Sequence, residues 1–135
     1  MGNKVKLAFD IDDTITRWCH SRDYVNYEAI PGMVETINQL YDDGYYIILF
    51  TARGMTSVGP GRIATEIVPD LVKNLNFIGL KYHELITHKP SYDLFVDDKA
   101  IHPQQFLAKI NSGSNIEDII NENELKTKSH ISTGE

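Results

Sequence analysis

The sequence predicts an α/β domain built on a parallel sheet, and three observations carry that prediction. Short apolar runs at Val5–Phe9, Tyr45–Phe50 and Leu94–Val96 alternate with stretches whose apolar residues recur at helical spacing. Each run stops abruptly in polar groups: Asp10-Ile11-Asp12-Asp13-Thr14, then Thr51-Ala52-Arg53-Gly54, then Asp97-Asp98-Lys99. Strands that alternate with helices pair in parallel through right-handed crossovers, so all their carboxyl ends share one edge, where open α/β sheets bind ligands.

The elements follow in order. Val5–Phe9 is the first strand, and Ile15 to Ala29 lacks any period, as expected of an irregular loop or small flap over that strand's end. Pro31 suits a helix start. Met33, Val34, Ile37, Leu40 and Tyr41 then mark one apolar face until Asp43-Gly44 stops it. The second strand follows at once. Gly59-Pro60-Gly61 is a break, after which Ile63, Ile67, Leu71, Val72 and Leu75 predict a helix that Pro69 must kink, divide or delay. Glu84–Thr87 is a short third strand, Tyr92–Val96 a fourth, and Pro103–Ile110 the last helix of the core. The expected core is therefore 1–110. Residues 111–135 read as a linker, a short amphipathic helix over Ile116–Leu125 and a polar tail with the composition of disorder.

The strand ends carry the chemistry. Residues i and i+2 of a strand point to the same side, so Asp10 and Asp12 leave together while Ile11 turns away. Crowded carboxylates repel unless a cation or a tuned pKa relieves them. One can hold a hard cation or attack an electrophile while the other moves a proton; the structural alternative is an acidic turn with capping Asp and Thr. Thr51, Arg53 and Gly54 offer a hydroxyl, a guanidinium and a flexible backbone, a set that suits phosphate. Arg53 reads equally as a bidentate grip on a phosphate or sugar acid and as a salt-bridge partner. Lys89, just before the fourth strand, adds an ammonium.

With Asp10/Asp12/Thr14, Thr51, Lys89 and Asp97-Asp98 in this order over about the first hundred residues, the chain resembles the haloacid dehalogenase superfamily. The stretches 51–54 and 89–100 also resemble small phosphatases of bacterial capsule and lipopolysaccharide sugar pathways. The resemblance implies a three-layer Rossmann-like core with helices on both faces of the sheet. It makes Asp10 the nucleophile that forms an aspartyl-phosphate, and Asp12 the acid and base. Thr51, Ala52, Arg53 and Lys89 would bind substrate. Mg2+ would sit on the Asp10 carboxylate, the Asp12 backbone carbonyl and Asp98, with Asp97 an outer or water-mediated partner. Gaps of about 40 residues between successive motifs leave no room for a cap domain. The implied substrate is a small phosphorylated sugar, and homo-oligomers occur among uncapped relatives.

Composition limits the rivals. A net charge of −6 and a pI near 5.3 speak against a nonspecific nucleic-acid grip, so a nucleotide or polynucleotide-end phosphatase is the second expectation. A receiver-type signalling domain is remote, because its acidic pair comes at the first strand and its lysine last. The single Cys19 excludes an intrachain disulfide, and its neighbour His20 lacks an orienting third group for thiol catalysis. His83, His88 and His102 lack the close spacing of a structural zinc site. Arg17, Trp18, His20, Arg22 and Tyr24 fall in the flap and are candidates for the pocket mouth. No apolar stretch reaches the roughly 20 residues a bilayer requires, so the expected setting is the cytoplasm with no membrane partner.

Overall fold

The computed structural model describes residues 5–18 and 26–133. It is a mixed α/β structure with a small parallel sheet and five α-helices among the described residues, divided into two compact units, Met1–Ser91 and Tyr92–Glu135.

In the first unit, β1 (Lys6–Asp10) and β2 (Tyr46–Phe50) run parallel, with β3 (Glu84–Ile86) parallel to β2 on its other side. The register pairs Asp10 with Phe50 and Phe50 with Ile86, so the carboxyl ends of all three strands are level. Ile47 and Leu49 of β2 are fully buried, as expected of a central strand.

Between β1 and β2, α1 (Met33–Asp42) starts after Gly32, which takes a left-handed φ of 85°. Met33, Ile37 and Leu40 form its buried stripe. Gly44, at φ 99°, ends it: the Gly44 and Tyr45 amides return to the carbonyls of Tyr41 and Leu40, satisfying the last turn. Between β2 and β3 the chain makes a 3-10 turn at Pro60–Arg62, then α2 (Ile63–Glu66) and α3 (Val68–Phe77). Pro69 divides the expected helix at Ile67 because it sits in the first turn of α3, where its missing N–H costs nothing. Ile63, Ile67, Leu71 and Leu75 are buried along both pieces.

The segment after β1 is more ordered at its base than an irregular loop. The amide of Ile30 donates to the Ile15 carbonyl, and that of Arg17 to the Glu28 carbonyl, so the two ends of 15–30 run antiparallel. Cys19, His20, Arg22 and Tyr24 lie outside the described residues, while Trp18 is exposed.

The second unit holds α4 (Pro103–Asn111) and α5 (Ile116–Thr133). His102 caps α4 by accepting from the Gln104 amide at 3.2 Å, and α5 runs well past Leu125. Within the second unit, Tyr92–Val96, expected as the fourth strand, belongs to no ladder among the described residues, and Leu94 and Val96 are 78% and 87% exposed.

Candidate active site

The level strand ends bring together Asp10, Asp12, Thr51, Ala52, Arg53 and Lys89, six of the expected residues. Asp10 closes β1. A tight turn follows, in which the Ile15 and Thr16 amides both return to the Ile11 carbonyl and Asp13 adopts φ 60°. That turn sinks the apolar Ile11 and Ile15 into the core and leaves Asp10 and Asp12 facing the edge.

Thr51 is held at the end of β2 by its amide, which donates to the Ile86 carbonyl, while its own carbonyl accepts from the Lys89 amide at 3.1 Å. Its buried hydroxyl accepts from the Arg53 amide at 3.0 Å, and Ala52 forms the turn between them by accepting from Met55. Gly54, at φ 86°, cannot carry a side chain: a Cβ there would stand 2.5 Å from Cγ1 of Ile67 and 3.2 Å from that of Ile63. The glycine thus seats the loop directly on α2 and the start of α3.

Lys89 is buried, and its Nζ lies 3.3 Å from Oδ1 of Asp10 and 5.6 Å from the centre of the Phe50 ring. It follows His88, a non-glycine residue at φ 68°. The His88 ring is fixed on both sides, with Nε2 donating to the Pro60 carbonyl at 2.9 Å and Nδ1 2.7 Å from the Thr87 hydroxyl. Backbone strain of this kind persists only where the surroundings impose it.

The two carboxylates have separate cations. Oδ2 of Asp10 faces the Thr14 hydroxyl at 3.4 Å. Burial pushes the Asp10 carboxyl above its ordinary value of 3.8, while the charge and hydrogen bond of Lys89 pull the other way. Asp12 instead meets Arg53 in a fork: NH2 donates to Oδ1 at 2.6 Å and Nε to Oδ2 at 3.2 Å. The Arg53 side chain is 2% exposed and lies 5.0 Å from the centre of the Tyr27 ring. Tyr27 is itself buried, its carbonyl accepting from Asn74 of α3. Neither Tyr27 nor Asn74 stands out in the sequence. Both sit outside the motifs, and only the course of the chain brings them here.

Asp97 and Asp98 belong to the second unit and are exposed. Asp97 accepts from the Lys99 amide at 3.2 Å, and Asp98 pairs with Lys99 Nζ at 3.4 Å. His83 packs between the rings of Tyr41 and Tyr46 and accepts from the Ile47 amide, a structural role.

The oxygen donors of the β1 end, the Asp10 carboxylate and the Asp12 backbone carbonyl, are of the hard kind magnesium takes. Among the described residues no three His, Cys, Asp or Glu side chains are gathered as a metal-binding group, so the first unit offers part of a ligand set. No helix among the described residues is long and apolar enough to cross a membrane.

Comparison with known proteins locates the fold. A crystal structure of a target protein from Vibrio cholerae is similar with a TM-score of 0.78 and 26% identity, covering 90% of this chain and 98% of that one. The likeness is one of fold. A D,D-heptose 1.7-bisphosphate phosphatase from B. bronchiseptica, solved with magnesium and phosphate, aligns with a TM-score of 0.46 and 14% identity over 80% of this chain and 62% of that chain. That second likeness is too distant to bear on chemistry. No family model matches the chain, and no curated protein does.

Proposed function

We propose that the protein is a magnesium-dependent phosphomonoesterase working through an aspartyl-phosphate, with a small phosphorylated sugar as substrate. One observation carries the proposal: Lys89 Nζ lies 3.3 Å from the Asp10 carboxylate at an edge that also holds Asp12 and Thr51.

A carboxylate nucleophile divides a difficult displacement into two easier ones. The Asp10 carboxylate attacks phosphorus, the bond from phosphorus to the ester oxygen breaks, and Asp12 gives that oxygen its proton. Asp12 then takes a proton from water, whose oxygen attacks the phosphoryl group and frees Asp10 and inorganic phosphate. Lys89 and the Thr51 hydroxyl hold the phosphoryl oxygens, with the Ala52 backbone lining the turn. Lys89 also offsets the carboxylates so that an anion can approach Asp10. Asp10 and the Asp12 carbonyl would hold the magnesium ion, which supplies charge neutralisation at the phosphoryl group. The sequence motif alone assigns the remaining ligand to Asp98, with Asp97 beside it.

The test is turnover of an aryl phosphate with and without chelator, in the wild type and in Asp10→Asn and Asp12→Asn. The expected result is chelator-sensitive activity that Asp10→Asn abolishes. Metal-independent turnover surviving both substitutions would reject the mechanism. A screen of hexose, heptose and octulosonate phosphates beside nucleotides then ranks substrates by kcat/KM, and a sharp nucleotide preference would replace the sugar assignment.

A further inference from the structure

We infer that Arg53 is a positioning residue that acts through Asp12, setting the orientation of the proton-transferring carboxylate, and does not itself grip the substrate anion. The inference rests on the phosphatase reading and deepens it.

Three features of the fork support this. First, Nε and NH2, the pair of donors that matches a carboxylate or a phosphate in bidentate fashion, are both committed to the two oxygens of Asp12. Second, the guanidinium is fixed from independent directions. The Tyr27 ring lies 5.0 Å from its Cζ, and the backbone it hangs from is tied by the Arg53 amide to the Thr51 hydroxyl at 3.0 Å. Gly54, packed against Ile67 and Ile63, fixes the next residue. Third, exposure is divided unequally within the pair: the Arg53 side chain is 2% exposed, Asp12 24%. The carboxylate reaches the open edge while the cation stays behind it, and each carboxylate oxygen keeps a second lone pair for a proton in flight.

The arrangement has a clear physical purpose. An aspartate has two side-chain torsions, and one that must serve first as acid and then as base at nearby points gains from being held in a single orientation. A guanidinium fork fixes the plane of a carboxylate; an ammonium, a point charge on a flexible stem, does not. Arg53 is thus expected to be irreplaceable by lysine although the charge is unchanged.

The experiment compares two leaving groups. 2,4-Dinitrophenolate departs without a proton, whereas a sugar alkoxide needs one. Arg53→Lys and Arg53→Met are expected to lower kcat/KM about 100-fold on a hexose phosphate, within the range of general acid catalysis, and at least about tenfold less on 2,4-dinitrophenyl phosphate. In an Asp12→Asn background, Arg53→Lys is expected to add less than about threefold, since residues acting as one unit are not additive. If Arg53→Met fails to fold, judged by its thermal melt, the Arg53→Lys and Asp12→Asn arms carry the same comparison. Equal losses on both substrates, or a raised KM with kcat unchanged, would make Arg53 an anion ligand and overturn the inference. A wild type inactive on both substrates would instead overturn the phosphatase proposal.

Discussion

Asp10 and Asp12 at the end of β1, and Asp97 and Asp98 in the second unit, resemble one another in sequence: each set ends an apolar run. Their surroundings differ. Each carboxylate of the first set faces a buried cation, Lys89 or Arg53, whereas Asp98 pairs with a lysine whose side chain is 85% exposed. Charges taken out of water need partners, and partners must then be buried with them. Charges left in water need none, and their ion pairs contribute little. The first set is therefore part of the architecture as well as of the proposed chemistry. Within its own unit the second set is exposed and bonded only locally, to Lys99, among the described contacts.

Substitutions can break or sharpen that contrast. The largest effect is expected of Asp12→Ala, which strips a buried guanidinium of its carboxylate and should cost about 3–5 kcal/mol in urea unfolding. Gly54→Ala comes next, at about 3 kcal/mol, combining a side chain at left-handed φ with the clash against Ile67. Asp98→Ala and Asp97→Ala should each change stability by less than about 0.5 kcal/mol in the same assay, and a loss comparable to that of Asp12→Ala would erase the distinction between the two sets.

The smallest effect is a pH dependence. Because the Asp10 carboxyl is raised above 3.8 in the folded chain, the folded state binds its proton more tightly than the unfolded state. Its contribution is fully present below 3.8 and is lost as pH rises through the higher folded value. Relative to Asp10→Asn, the wild type should therefore lose stability over that interval, measured by denaturant unfolding in chelator. An opposite slope would mean that the charge on Lys89 outweighs burial.

Much of this was legible in the residues. Strands β1 to β3 lie within a residue or so of their apolar runs, because alternation of apolar run and polar stop is a local signal. The helix division near Pro69 was legible for the same reason. The site was partly legible: Asp10 and Thr51 lie side by side because parallel strands end on one edge, as topology requires, whereas Lys89 joins them through its amide on the Thr51 carbonyl, which no strand-end argument foretold. Arg53 was legible equally as a grip on an anion and as a salt-bridge partner, but the carboxylate it pairs with was not. Sequence spacing cannot tell a phosphate from a carboxylate 41 positions earlier. Tyr27 was hidden in an aperiodic stretch. The length of α5 was also missed, since polar residues past Leu125 carry no helical stripe to read.

His88 has one more consequence. Its imidazole fastens the segment after β3 to the Pro60 carbonyl, and the next residue along the chain is Lys89, whose amine faces Asp10. Any displacement of the 55–62 loop therefore pulls on the peptide that carries Lys89. The 55–62 loop is thus tied to both sides of the lysine that faces Asp10, through the His88 ring before it and through the Thr56 hydroxyl, 3.4 Å from that of Ser91, after it.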